Sequence, residues 1–229
     1  MNAFLLYSLA LGSIVIAGCG GGSGDAKPID TPAAGTTSGI TTAAVPFYEV
    51  LGRHSEDAYE QVKAADWTAA RASVESLHAA MRSAQSQDTV GHGVKALESL
   101  AKLDSAVARR SRAEGLNEAN RLTQIGGLLG AAHDPRVPAY VTLLDYYGRE
   151  LEIGAAATDT ARLSRAALAI RTTWNEVRPT VVSRGGTAEA ARFDSVVAQV
   201  TAARTAGEYG RAATSVLDQV DALEAVFMK

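Results

Sequence analysis

WTAARASVESLHAAMRSA, residues 67–84, decides the fold class. Trp67, Ala70, Val74, Leu77, Met81 and Ala84 recur at alternating spacings of three and four, which puts every large apolar side chain on one stripe of an α-helix. The same spacing returns in Leu163, Ala167, Ile170, Trp174, Val177 and Val181, then in Phe193, Val196, Val200 and Ala203. It closes the chain in Tyr209, Ala213, Val216, Val220, Leu223 and Phe227. No stretch sustains the period of two that a half-buried strand requires. From Pro46 onward the chain is rich in Ala, Leu, Glu, Arg and Gln, which favour helix over strand. The expectation is an all-α, antiparallel helical bundle.

Working outward from that stretch, the boundaries are written in caps and breakers. Asp66 caps the helix that opens at Trp67, Asp88-Thr89 opens the next, and Ala113-Glu114-Gly115 interrupts a long charged one. His133-Asp134-Pro135 followed by Pro138 is the strongest stop, and Thr158-Asp159-Thr160 and Ser183-Arg184-Gly185-Gly186 divide the remainder. This predicts about eight helices over residues 45–229, with turns short enough to make neighbours antiparallel. Two architectures stay open: one irregular bundle, or two tandem four-helix units at 45–133 and 137–229. The second draws on Val45-Pro46-x-Tyr48 matching Val137-Pro138-x-Tyr140, and on Asp66-Trp67-x-x-Ala70-x-x-Ser73-Val74 matching Glu208-Tyr209-x-x-Ala212-x-x-Ser215-Val216. The periods and signature residues of tetratricopeptide repeats do not fit.

Ahead of the bundle the composition changes twice. Ala3 to Ala17 is an uncharged apolar run, including Phe4, Leu5, Leu6, Leu9, Leu11, Ile14, Val15 and Ile16. It is shorter than the ~20 residues that span a bilayer as a helix and has the length of a signal-peptide core. Gly20 to about Ala44 is Gly, Ser, Thr, Ala and Pro with almost no bulky apolar residue. Such a segment buries too little surface to offset its ordering entropy and reads as a flexible linker. Its r.m.s. reach is roughly 25–30 Å and its taut limit ~80 Å.

The run ends on Ile16-Ala17-Gly18-Cys19, which resembles the bacterial lipobox. That resemblance to bacterial lipoproteins implies removal of a signal peptide over 1–18, a diacylglyceryl group on the Cys19 sulfur and acylation of the new amino terminus. It therefore implies a lipid-anchored linker over 19–44. Two or three acyl chains, at ~0.8 kcal/mol per buried methylene, make a stable anchor where one would not. Gly20, in place of an aspartate after the cysteine, slightly favours the outer over the inner membrane. The protein expected is a periplasm-facing lipoprotein of the cell envelope.

Charge and cysteine usage exclude other classes. The formal net charge is −3, with Lys and Arg scattered, so no nucleic-acid partner is expected. Cys19 is the single cysteine, which leaves the fold without an internal disulfide and without thiolate zinc or c-type haem sites. There is no Gly-x-Ser-x-Gly, no His-Glu-x-x-His and no phosphate-cradling glycine loop, so no catalytic residues and no cofactor are assigned.

Two candidate sites remain. His54, on the stripe Phe47-Leu51-His54-Ala58-Val62, and His78, beside the stripe of the following helix, stand at similar distances from the turn near Ala65. Together with Glu75 or Asp57 they would supply a metal-ligand set of the kind helical bundles build. The pattern of two Glu-x-x-His motifs used by di-iron bundles is absent, since Leu51 precedes His54 by three. The other candidate is a partner-binding surface made of Tyr146 and Tyr147, expected to point in different directions, and of Arg109, Arg110 and Arg112. Gly126, Gly127 and Gly130 suggest either a close helix crossing or an opening into the bundle. Tyr140, Trp67, Trp174, Phe193, Tyr209 and Phe227 read as core. The function expected is a non-enzymatic binding or structural module for a membrane-associated partner; the alternative is a metal-ion or small-ligand binder using His54 and His78.

Overall fold

The computed structural model describes residues 47–84, 92–132 and 139–228. The signal run, Cys19, the linker, Asp88-Thr89 and the His133-to-Pro138 stop lie outside them. The described residues form eight helices and no strand: α1 (Phe47–Lys63), α2 (Trp67–Ala84), α3 (His92–Ala108), α4 (Arg112–Ala132), α5 (Ala139–Ala157), α6 (Thr160–Ser183), α7 (Thr187–Ala202) and α8 (Ala206–Phe227). The molecule is an all-α helical bundle.

Local chemistry explains several boundaries. Asp66 accepts a hydrogen bond from the Ala69 amide at 3.0 Å, and Asp159 accepts one from the Arg162 amide at 2.9 Å, each supplying a partner to the first turn of its helix. The residue before each aspartate, Ala65 or Thr158, has positive φ (59° and 55°). α8 opens with a reciprocal capping box between Thr205 and Glu208. One expected break moves: the chain turns at Arg109–Ser111, where Arg110 has φ 57° and the Ser111 amide donates to the Ala106 carbonyl at 2.8 Å. Glu114 and Gly115 fall inside α4 instead. Gly115 is there because a Cβ would stand 2.9 Å from Val62 Cγ1 on α1, a packing demand that reads in sequence like a breaker.

Helix order follows from these turns. α1 packs on α2 and α4, and α3 packs on the same two; α5 packs on α6 and α8, and α7 packs on the same two. α4 against α5 joins the sets. In α1 and α4 the register runs from Gly52 opposite Gly126 to Val62 opposite Gly115; in α5 and α8 it runs from Gly148 opposite Val216 and Leu217 to Ala155 opposite Gly210. Both pairs are therefore antiparallel. At Gly126 the approach is between backbones: a Cβ would lie 3.1 Å from the Gly52 nitrogen and 3.2 Å from the Tyr48 carbonyl oxygen. The glycines thus serve a close crossing.

Each set encloses its own apolar cluster. Leu51, Tyr59, Val74, Leu77, Leu100, Leu103 and Leu122 lie in the first, and Leu163, Ile170, Trp174, Phe193, Val216 and Leu223 in the second. α5 feeds both, with Ile153 in the first cluster and Val141, Leu144 and Leu151 in the second. α1 and α5 run parallel where they meet, since Tyr59 faces Glu152 and Glu56 faces Arg149, each pair 93 positions apart. Asp66 and Asp159 are separated by the same interval. The second sequence match, by contrast, pairs α2 with α8, which hold different places in the two sets. Trp67 is the first residue of its helix, whereas Tyr209 follows the capping-box glutamate.

Candidate functional site

The feature that stands out is a charged junction buried where α1, α5 and α8 meet. Asp145 and Arg149 lie one turn apart on α5 and form an ion pair, with 10% and 7% of their side chains exposed. Both stand on a helix whose neighbours α4, α6 and α8 leave it little solvent. The Arg149 guanidinium also lies 5.1 Å above the ring centroid of Tyr59, a cation–π contact with a fully buried ring, and reaches Glu56 of α1 at 3.9 Å. The Tyr59 hydroxyl donates to Glu152 at 2.8 Å, and the other Glu152 oxygen takes Lys63 at 2.7 Å. Side chains of α1 and α5 are thus cross-linked at three consecutive levels.

The charges do not balance. Burial pushes the Glu224 carboxyl of α8 up to about 7, and Glu56 and Asp221 push the same way against Arg149. Asp221 is raised by burial, which Arg149 partly offsets. Glu56 is raised by burial as well, again against Arg149 and with Asp221, Asp57 and Glu60 adding to it; with 36% of its side chain exposed, water tempers that effect. One guanidinium serves four carboxyl groups.

The sign of the consequence follows from linkage. A carboxyl whose folded pKa lies above its unfolded value stabilises the fold fully below the unfolded value, and that contribution is lost as pH rises through the folded pKa. For Glu224 the window runs from 4.5 to about 7. Glu224→Gln is therefore expected to raise stability by about 1–3 kcal/mol at pH 8 and to change it little at pH 4.5. Urea unfolding at the two pH values checks this, and an equal effect at both would show that charge is not its origin.

A second polar network flanks the first on α4, α5 and α6. The fully buried Asn120 donates to the Tyr146 carbonyl at 3.2 Å and to Glu150 at 2.8 Å, and Glu150 receives Arg162 at 2.6 and 2.8 Å. Both networks anchor helices to one another. The hydroxyl in them, that of Tyr59, is fully buried against Glu152.

The sequence candidates fall elsewhere. His54 Nδ1 is 3.5 Å from Asp57 on its own helix, while His78 Nε2 is 3.7 Å from Asp104 on α3. The imidazoles serve separate carboxylates, and no group of three or more His, Cys, Asp or Glu among the described residues is arranged to hold a metal ion. Glu75 does not enter either pair. Tyr146 and Tyr147 do not diverge: their ring centroids are 5.0 Å apart, tilted by 59°, and both are half-buried, Tyr147 against the second apolar cluster. Burial, with Glu150 and Tyr147 adding, moves the Tyr146 hydroxyl up to about 12. Arg109, Arg110 and Arg112 are exposed around the α3–α4 turn, Arg109 paired with Glu114. Tyr140 is 51% exposed, so it is not core.

The junction residues were missed because charges at helical spacing ordinarily mark a solvated face. A signal was available: Asp145 and Arg149 are embedded in α5 among Val141, Leu144, Leu151 and Ile153, so the helix has no wide polar face for them. Compared with protein-family models, with curated proteins and with solved structures, the chain matches none. Fold and site define it as an all-α bundle of two four-helix sets joined by a buried ionic junction. No helix among the described residues is long and apolar enough to cross a membrane.

Proposed function

We propose that this chain is a lipid-anchored, non-enzymatic protein of the bacterial cell envelope that acts as a binding or structural module for a membrane-associated partner. The observation that carries the reading is Ile16-Ala17-Gly18-Cys19 at the end of an apolar run of signal-peptide length, followed by a linker almost free of charge and bulk. The polar chemistry of the described helices supports it, because both buried networks join helices to each other. A lipid at Cys19 would confine the bundle to a layer a few nanometres deep, so that a weak contact with a neighbour gains from high effective concentration.

The test is chemical. Full-length protein from bacterial envelopes should incorporate radiolabelled palmitate and show, by mass spectrometry, a mature chain beginning at an acylated Cys19. Cys19→Ala should carry no label and leave the membrane fraction or remain unprocessed. Recovery of an unmodified Cys19 thiol with residues 1–18 attached would overturn the reading.

A further inference from the structure

The large apolar side chains left in solvent are concentrated at one end of the bundle. Among the described residues seven such side chains are exposed: Val94, Leu97, Leu128, Tyr140, Leu168, Val182 and Met228. Because neighbours in each set are antiparallel, the starts of α1, α3, α5 and α7 share an end with the finishes of α2, α4, α6 and α8. Val94 and Leu97 lie in the first turns of α3, Leu128 in the last turn of α4, Tyr140 at the start of α5, Val182 at the finish of α6 and Met228 just past α8. At 1.5 Å per residue, all six lie within about 8 Å of that end. Only Leu168 is mid-helix. The opposite end, formed by the turns at Ala65, Arg110, Thr158 and Arg204, has no such residue.

We propose that this end of the bundle rests on the lipid surface. The inference relies on the lipid-anchor reading above and adds an orientation to it. Two observations select a bilayer as the occupant. First, the chain outside the helices arrives at this end, because residues 1–46 lead directly into Phe47, the first residue of α1. Cys19 precedes Phe47 by 28 positions, so along the chain the anchor is tied to this end of the helices and not to the opposite one. Second, the six side chains come from four different helices and the residue that follows a fifth, and share a height along the axis rather than a side of the bundle. A helix or strand docking along a groove would meet two or three of them, whereas a plane across the helix ends meets all. Leucine, valine and methionine then enter the interface, with Tyr140 suited to its polar boundary.

The experiment uses full-length protein purified with its lipid and placed in phosphatidylethanolamine–phosphatidylglycerol vesicles. Single variants Leu97→Cys, Tyr140→Cys, Leu168→Cys and Arg110→Cys carry an environment-sensitive fluorophore; acylation leaves Cys19 unreactive. Fluorophores at 97 and 140 should shift to the blue and be quenched at least twofold more by brominated lipid than those at 168 and 110. Equal, weak quenching at all four positions in protein whose Cys19 is shown to be acylated would overturn the orientation and leave the anchor standing. A blue shift at 97 and 140 without lipid quenching would assign the end to a second copy or another protein and would also overturn it. If Cys19 proves unmodified, the same quenching pattern on added vesicles would sustain the lipid contact while the anchor reading fails.

Discussion

Replacing Arg149 with methionine is expected to cost about 3–5 kcal/mol at pH 8, the range for removing one partner of a buried ion pair. For a domain of this size that lowers Tm by roughly 6–20 °C. Asp145, with 10% of its side chain exposed, would keep its burial and lose its cation. Glu56, Asp221 and Glu224 would lose the one positive charge that offsets their mutual repulsion. The loss should be smaller at pH 5, where Glu224, raised to about 7, holds its proton. Asp145→Asn in the Arg149→Met background should restore part of the stability, and the coupling in that double-mutant cycle isolates the pair. A loss independent of pH, with no coupling to Asp145, would place the effect in the stacking of Arg149 on Tyr59.

The second large effect is expected at Trp174, which is 2% exposed in the second cluster and packs on Phe193 with ring centroids 4.6 Å apart. Its indole nitrogen donates to Asp194 at 2.8 Å, and Asp194 also receives Arg178 at 2.8 and 2.9 Å. Trp174→Ala should destabilise by about 3–5 kcal/mol through cavity and lost burial. Trp174→Phe should cost less, about 1–3 kcal/mol, from lost volume and the missing hydrogen bond to Asp194. Trp67 is the other of the two tryptophans and reports unfolding from the opposite set by fluorescence. If the two sets unfold as one, Trp67 will register the full shift of midpoint. An unchanged Trp67 transition beside a lowered helical one by circular dichroism would show that the ionic junction and the α4–α5 contact do not couple them.

Stability against pH should pass through a maximum. Asp194 is held below its ordinary value by Arg178, with Trp174 helping against burial, and Glu208 by the amides of Arg204 and Thr205. Their contributions are present above the unfolded values of 3.8 and 4.5 and fade as pH falls through the folded ones. The junction carboxyls act in the opposite sense.

How far the chain could be read in advance differs by element. The stripe Trp67-Ala70-Val74-Leu77-Met81 and the caps at Asp66 and Asp159 are local, since they depend on side chains within one or two turns, and they prescribe helices whatever packs on them. Gly115 shows the limit of that logic. Its lack of a side chain is a breaker in isolation and a necessity once Val62 arrives from α1, so the break moves to Arg110.

The candidate site was the less legible part. Two imidazoles at similar distances from a turn need not face each other: His54 stands beside Asp57 of its own helix and His78 beside Asp104 of α3, and only the packing of α3 on α2 brings Asp104 there. By itself the sequence determined an all-α chain with helices delimited by local capping, because helical period and hydrogen-bonding caps are short-range. Only the tertiary structure decided which charges are buried. Arg149 lies over Tyr59 of α1, and α4, α6 and α8 pack on the helix that carries it and Asp145; no pattern along α5 encodes the arrival of those neighbours.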